Sequence, residues 1–117
     1  MTTCISDDLR KIEIFLQDNN IDLNYTDADE NYIDIAGDRI VVSSSQTPTQ
    51  LVYTLLHEIG HYFSDFHSSL DTKVTIIIEE VLAWDTGRDI AYSLGIDIDE
   101  QQWSDLMISC IGEYIEK

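Results

Sequence analysis

The chain has 117 residues, of which 44% are hydrophobic, and its 23 acidic and 6 basic residues give a formal net charge of −17. The length predicts one domain over residues 1–117, and the hydrophobic fraction is typical of a globular protein and excludes a disordered one. The charge excludes nucleic acid and anionic membranes as expected partners, because contacts to phosphate groups depend on Lys and Arg side chains.

The first half of the chain predicts a helix followed by a small sheet. Residues 6–20 have apolar positions at helical spacing, with Ser6 or Asp7 as a cap and "DNN" as the end of the helix. The runs "IDLNYTD" and "NYIDIAGDRIVVS" then alternate with the period of β-strands. We predict a three-stranded antiparallel sheet with a hairpin turn near Gly37 and Asp38.

The second half of the chain predicts three helices. Thr47 and Gln50 form a capping box, which predicts the first of these helices over residues 48–63. The other two helices are predicted over residues 74–94 and 99–115. The resulting order of elements, αβββααα, is that of an α+β fold.

The first of these helices contains the sequence "HEIGH", with His57, Glu58 and His61. Histidines at positions i and i+4 lie on the same face of a helix, so both imidazoles can reach one metal ion. The Glu58 side chain projects from the helix about 100° around the helix axis from that of His57. This direction places it beside a metal-bound water instead of on the metal. This is the division of tasks in the H-E-x-x-H motif, with two zinc ligands and a general base.

Gly60 inside the helix predicts that another backbone packs closely there, and we expect that backbone to belong to the sheet.

A catalytic zinc ion needs a third protein ligand, and the sequence offers three candidates. Glu80 on the following helix is preferred, because the small Ala83 on the same helix face permits close approach to the motif helix. The adjacent Glu79 is the reserve choice. His67 would reproduce the metzincin spacing H-E-x-x-H-x-x-G-x-x-H, but this chain has Ser64 where that motif has glycine.

The segments "LLHEIGHYF" and "EEVLAW" resemble the ImmA/IrrE-type metallopeptidases, which are compact gluzincin-like domains. The resemblance covers residues 38–94. In that family the later motif reads E-x-E-A-N, so Glu80 and Ala83 match its first glutamate and its alanine, whereas Leu82 and Trp84 differ from it. The pattern is also similar to that of short acidic metallopeptidases encoded by phages.

The resemblance implies a zincin-like fold and a zinc-dependent metallopeptidase that cleaves a peptide bond in a specific protein substrate. It implies that His57, His61 and Glu80 hold one Zn²⁺ per chain and that Glu58 is the general base for a zinc-activated water. The peptide would pair with an edge strand of the sheet. The acidic start "MTTCISDDLRK" does not resemble a signal peptide, so we expect a cytoplasmic protein, located in the host cytoplasm for a phage-encoded member.

Two other functions stay open at this point. A zincin-shaped domain of this charge could act by binding alone, as an acidic inhibitor that occupies a basic surface of a partner protein. Zinc could also be purely structural, with His67 or Asp65 as the fourth ligand that closes the site. For a catalytic site, the candidates for stabilising the oxyanion are Tyr62, Tyr92, Arg88 and His67, and the sequence does not choose among them.

Overall fold

The computed structural model describes residues 5–64 and 72–116, which form an α+β fold. The order of elements agrees with the prediction, and the ends of each helix lie within two residues of the expected positions. The first helix begins at Ile5, so the predicted caps Ser6 and Asp7 lie inside it instead of preceding it. The described elements are α1 (Ile5–Asp18), β1 (Asp22–Thr26), β2 (Tyr32–Asp34), β3 (Arg39–Ser43), α2 (Pro48–Phe63), α3 (Lys73–Ser93) and α4 (Glu100–Glu116).

The sheet is mixed, with the strand order β1-β3-β2. β3 runs antiparallel to β2, as the predicted hairpin requires, but parallel to β1, so the prediction of a fully antiparallel sheet was wrong. The physical reason is that β3 is the apolar strand, with Ile40, Val41 and Val42 buried, and a strand of this kind occupies the centre of a sheet. The hairpin places β2 on one side of β3, and β1 pairs with the other side, where it runs in the same direction as β3.

The predicted turn near Gly37 and Asp38 and the predicted capping box of α2 are confirmed. Thr47 and Gln50 form both hydrogen bonds of the capping box, with Gln50 N donating to Thr47 Oγ1 at 3.3 Å and Thr47 N donating to Gln50 Oε1 at 3.1 Å. Asp38 has a left-handed φ of 52° in the turn between β2 and β3, and Gly95 has a φ of 73° just after α3. These short-range features fix where α2 begins and where α3 ends.

The backbones of α2 and α3 are in direct contact. A Cβ atom on Gly60 of α2 would overlap the carbonyl group of Ala83 in α3, and a Cβ atom on Gly87 of α3 would overlap the carbonyl group of Leu56 in α2. The prediction that Gly60 faces another backbone is therefore confirmed, but the expected partner was wrong, because it is α3 and not the sheet. The small residues Ala83, Gly87 and Ala91 on α3 explain this, since they let its backbone reach α2.

The hydrophobic core draws on all four described helices and on β3. Trp84 and Trp103, whose apolar helical positions predict core residues, are both buried in it. Within the described residues, no helix combines the length and the apolar composition that crossing a membrane requires. The buried cluster consists of Ile12, Leu16, Ile21, Ile40, Val42, Val52, Tyr53, Leu55, Leu56, Ile59, Trp84, Ala91, Ile96 and Trp103.

Candidate metal centre

His57 and His61 of α2 converge with Glu80 of α3. Nε2 of His57 lies 2.8 Å from Oε2 of Glu80, and Nε2 of His61 lies 3.3 Å from Oε1 of the same carboxylate. One ligand atom from each of the three side chains lies within 4.8 Å of the other two. The contact between Gly60 and Ala83 produces this convergence, because each of these small residues lies within one helical turn of a member of the cluster.

The structure distinguishes Glu80 from its neighbour as a candidate third ligand. Glu80 is only 6% exposed and belongs to the cluster, whereas Glu79 is not one of the cluster's members among the residues that the structure describes. The remaining candidates from the sequence, His67 as a third ligand and Asp65 as a closing ligand, lie outside the described residues. The cluster that the structure places together is therefore the one that the sequence prefers.

The carboxylate of Glu80 is buried and yet ionised. Burial raises the pKa of this carboxyl group, but hydrogen bonds with His57 and His61 and the charge on these histidines outweigh burial and hold the pKa well below its usual range. For His61, burial lowers the pKa, but its hydrogen bond with Glu80 and the negative charge of Glu80 together raise it. Glu80 is therefore an anion at neutral pH, which is the form in which a carboxylate binds a metal ion.

Two side chains of α4 also contact Glu80. The hydroxyl of Tyr114 donates to Oε1 of Glu80 at 3.2 Å, and the thiol of Cys110 donates to Oε2 at 3.6 Å. Burial and the charge of Glu80 raise the pKa of Cys110 to about 12 and that of Tyr114 to about 12, so both groups keep their protons at neutral pH. The sequence predicts both residues on the buried side of α4 but does not connect them with the site. Their i,i+4 spacing places both side chains on one face of α4, but no signal in the sequence links that face to Glu80.

Glu58 and Trp84 lie beside the cluster and affect it in different ways. Glu58 is 7% exposed, and burial raises the pKa of its carboxyl group more than the two histidines lower it, with a further increase from Glu80. The indole of Trp84 stacks on the imidazole of His57, with ring centroids 4.2 Å apart and an angle of 15° between the planes. This stacking holds the His57 ring against Trp84, which is a residue of the buried core.

The cluster opens into a cleft with a volume of about 870 Å³. Tyr32 and Ile33 of β2 line the cleft, as do Glu113 and Tyr114 of α4. Asp29, in the segment before β2, adds a second exposed carboxylate to the lining. Among the described residues that line the cleft, the acidic side chains are not balanced by any Lys or Arg. The electrostatic field of the cleft therefore favours cationic groups.

Three of the sequence-based candidates for stabilising an oxyanion, Tyr62, Tyr92 and Arg88, do not line this cleft, and the fourth, His67, lies outside the described residues. Tyr62 donates a hydrogen bond to Asp38 Oδ1 at 2.6 Å, and Arg88 forms an ion pair with Glu100 at 3.5 Å. Tyr92 is 52% exposed on α3. The described residues thus give these three side chains surroundings that are separate from the site.

The donor set fits a zinc ion. Ligand atoms about 2.0–2.1 Å from a tetrahedral zinc ion lie roughly 3.3 Å apart. The separations of 2.8 Å and 3.3 Å between Glu80 and the two histidines are close to this value, although each joins a different oxygen of the carboxylate. One donor atom from each of the three side chains lies within 4.8 Å of the other two, so small side-chain shifts would bring all three to a zinc ion. Two imidazoles and one carboxylate are also the protein ligands found in one class of catalytic zinc site, which retains a position for water or substrate.

Comparison of the chain with protein-family models, with curated proteins and with solved structures gave no match. The case for a metal centre therefore rests on the geometry of His57, His61 and Glu80 and on the chemistry of their donor atoms.

Proposed function

We propose that the protein is a zinc-dependent metallopeptidase in which His57, His61 and Glu80 hold one Zn²⁺ and Glu58 is the general base. The observation that carries this proposal is the convergence of both motif histidines with a buried carboxylate from the next helix. We further propose that the α+β fold is zincin-like and of the ImmA/IrrE type. The helix order and the position of Glu80 on the helix after the motif support this assignment.

The zinc ion and Glu58 would have separate roles in peptide hydrolysis. A bound zinc ion would supply a Lewis acid that polarises a carbonyl group and lowers the pKa of water towards about 7. Glu58 would take the proton of the attacking water on a carboxylate oxygen and deliver it to the nitrogen of the leaving amine. The raised pKa of Glu58 supports this task, because a general base works best when its pKa is close to the operating pH.

An extended peptide is the substrate that suits the cleft. β2 is an edge strand of the described sheet, and its residues Tyr32 and Ile33 line the cleft. An edge strand can pair its outer backbone groups with a peptide, which then lies as an additional strand. Because Asp29 and Glu113 also line the cleft, we propose that the preferred peptides carry Lys or Arg near the bond that is cleaved.

Substitution of the proposed base tests this function. In Glu58→Gln the side chain keeps its shape but cannot accept a proton, so zinc content should stay at the wild-type level while hydrolysis of a quenched fluorescent peptide library falls by roughly 10²–10⁴-fold. Glu13→Gln, at an exposed acidic residue of α1 that does not line the cleft, is the matched control and should hydrolyse at the wild-type rate. The proposal fails if zinc-loaded wild-type protein cleaves nothing, or if Glu58→Gln retains full activity.

A second candidate function is favoured by the formal charge of −17. A protein with this charge could act without catalysis, by covering a basic surface of a partner protein. The same Glu58→Gln variant separates the two functions in any assay of biological effect. A biological effect that survives the substitution would be due to binding. An effect that is lost together with hydrolysis would be due to the peptidase activity.

A further inference from the structure

The carboxylate of Glu80 is contacted by two pairs of side chains from two different helices. His57 and His61 form the pair from α2, and Cys110 and Tyr114 form the pair from α4. Both pairs have the i,i+4 spacing that places side chains on one face of a helix. α4 thus reaches the proposed metal centre, although no member of the described cluster of ligand-type side chains belongs to it.

Each oxygen of the Glu80 carboxylate has one partner from each helix. Oε1 lies 3.3 Å from Nε2 of His61 and accepts from the Tyr114 hydroxyl at 3.2 Å. Oε2 lies 2.8 Å from Nε2 of His57 and 3.6 Å from the Cys110 thiol. With partners from two helices at both oxygens, the carboxylate is held against rotation about its own axis. A flexible glutamate side chain that must meet two fixed histidines needs such an arrangement, because its own torsions do not define one orientation.

We propose that Tyr114, assisted by Cys110, is a positioning residue that holds the Glu80 carboxylate in the orientation needed to bind the metal ion together with His57 and His61. This inference rests on the proposed function, since it assigns the outer partners of the same site. In this arrangement α4 contributes to the metal centre by orienting a ligand, and it supplies no ligand itself. Groups that orient a metal ligand in this way contribute strongly to metal affinity, and their loss typically weakens it by about 10–100-fold.

The two α4 residues should differ in their contributions. A phenol hydroxyl is a full hydrogen-bond donor, whereas a thiol is a weak one. The observed distances agree with this, at 3.2 Å for Tyr114 and 3.6 Å for Cys110. Removal of the Tyr114 hydroxyl should therefore weaken metal binding more than removal of the Cys110 thiol does.

The test compares the variant Tyr114→Phe with the wild-type chain and with Tyr92→Phe. The phenylalanine keeps the ring that lines the cleft and removes only the hydroxyl, and Tyr92 is an exposed tyrosine of α3 that does not line the cleft. The dissociation constant of Zn²⁺ is measured by competition with a chromophoric chelator, after circular dichroism has shown that each variant is folded. We expect affinity to fall by about 10–100-fold in Tyr114→Phe, to fall less in Cys110→Ala and to stay unchanged in Tyr92→Phe.

A spectroscopic signature separates positioning from a general structural effect. Co²⁺ bound in place of Zn²⁺ has a visible absorption spectrum that reports the ligand geometry, and this spectrum should shift in Tyr114→Phe and not in Tyr92→Phe. Zinc affinity within twofold of the wild type in Tyr114→Phe, or an equal loss in both tyrosine variants, would overturn the inference. If the wild-type chain itself binds no zinc, then the proposed function fails, which is a different result from failure of the positioning role.

Discussion

Gly60 of α2 lies against the main-chain carbonyl of Ala83 in α3, with no room between them for a side chain. This contact sets the distance between the two helices at the level of the proposed metal centre. His57 and His61 reach Glu80 because α2 and α3 approach each other so closely here. The glycine in the motif helix is therefore a requirement of the site and not only of the fold.

Substitution of this glycine should destabilise the protein. In Gly60→Ala the new methyl group must displace the backbone of α3, which should lower the free energy of unfolding by roughly 1–3 kcal/mol. Helix propensity alone predicts the opposite sign, with a gain of about 1 kcal/mol for alanine. The matched control is Gly112→Ala in α4, where nothing lies within 4 Å of the added Cβ and a gain of about 0.5–1 kcal/mol is expected. Urea unfolding followed by circular dichroism measures the free energy of unfolding of both variants. A Gly60→Ala variant as stable as the wild type would contradict this account.

The two adjacent glutamates of α3 should differ sharply in their effect on zinc binding. Glu80→Gln removes the charge of a residue that contacts both histidines, so its loss of affinity should exceed the roughly 10–100-fold that is typical for outer partners of a metal ligand. Glu79→Gln should lose far less affinity, because Glu79 is not in the described cluster and affects His61 through its charge. Isothermal titration calorimetry compares the two variants. Equal losses, or a loss confined to Glu79→Gln, would show that the wrong carboxylate has been assigned.

Zinc should stabilise the folded chain by mass action. A ligand that binds only the native state at a free concentration 1,000-fold above its dissociation constant raises the free energy of unfolding by about 4 kcal/mol. We expect a gain of this size for the wild-type chain and its loss on addition of a chelator. Mg²⁺ should give no comparable gain, because it prefers oxygen ligands. The variant His61→Ala is the control, and a zinc-dependent gain that persists in it would mean that zinc binds elsewhere.

The acidic cleft should select cationic peptides. Asp29 is an exposed carboxylate of the cleft lining, so Asp29→Asn should lower kcat/KM for a lysine-containing peptide more than for its norleucine analogue. One exposed charge contributes about 0.2–1 kcal/mol, which corresponds to a change of up to roughly 5-fold, and salt should reduce the difference. Asp18→Asn, at an exposed residue of α1 outside the cleft lining, is the control. An equal effect of both substitutions would assign the preference to the overall charge and not to the cleft.

The helices were predictable because their boundaries depend on neighbouring residues. The capping box of Thr47 and Gln50 fixes the start of α2, and Gly95 follows the end of α3. Within α2, the i,i+4 spacing alone predicts that His57 and His61 share a face. The choice of Glu80 over Glu79 also came from helix geometry, since the small Ala83 shares a face with Glu80.

The features that the sequence did not reveal depend on contacts between distant parts of the chain. Pairing of β1 with β3 is a long-range choice, and the alternation of side chains in a strand does not specify whether its partner is parallel or antiparallel. The partner of Gly60 lies on α3 and not in the sheet, a choice that the composition of α2 does not determine. Tyr114 and Glu80 are separated by 34 positions, so no local pattern links them.

The most direct test of the central claim is the location of zinc in crystals of the zinc-loaded protein, determined from anomalous scattering at the zinc absorption edge. The account predicts one zinc ion per chain, bound by Nε2 of His57, Nε2 of His61 and the carboxylate of Glu80. A chain without zinc, or a zinc ion bound by His67 in place of Glu80, would contradict it.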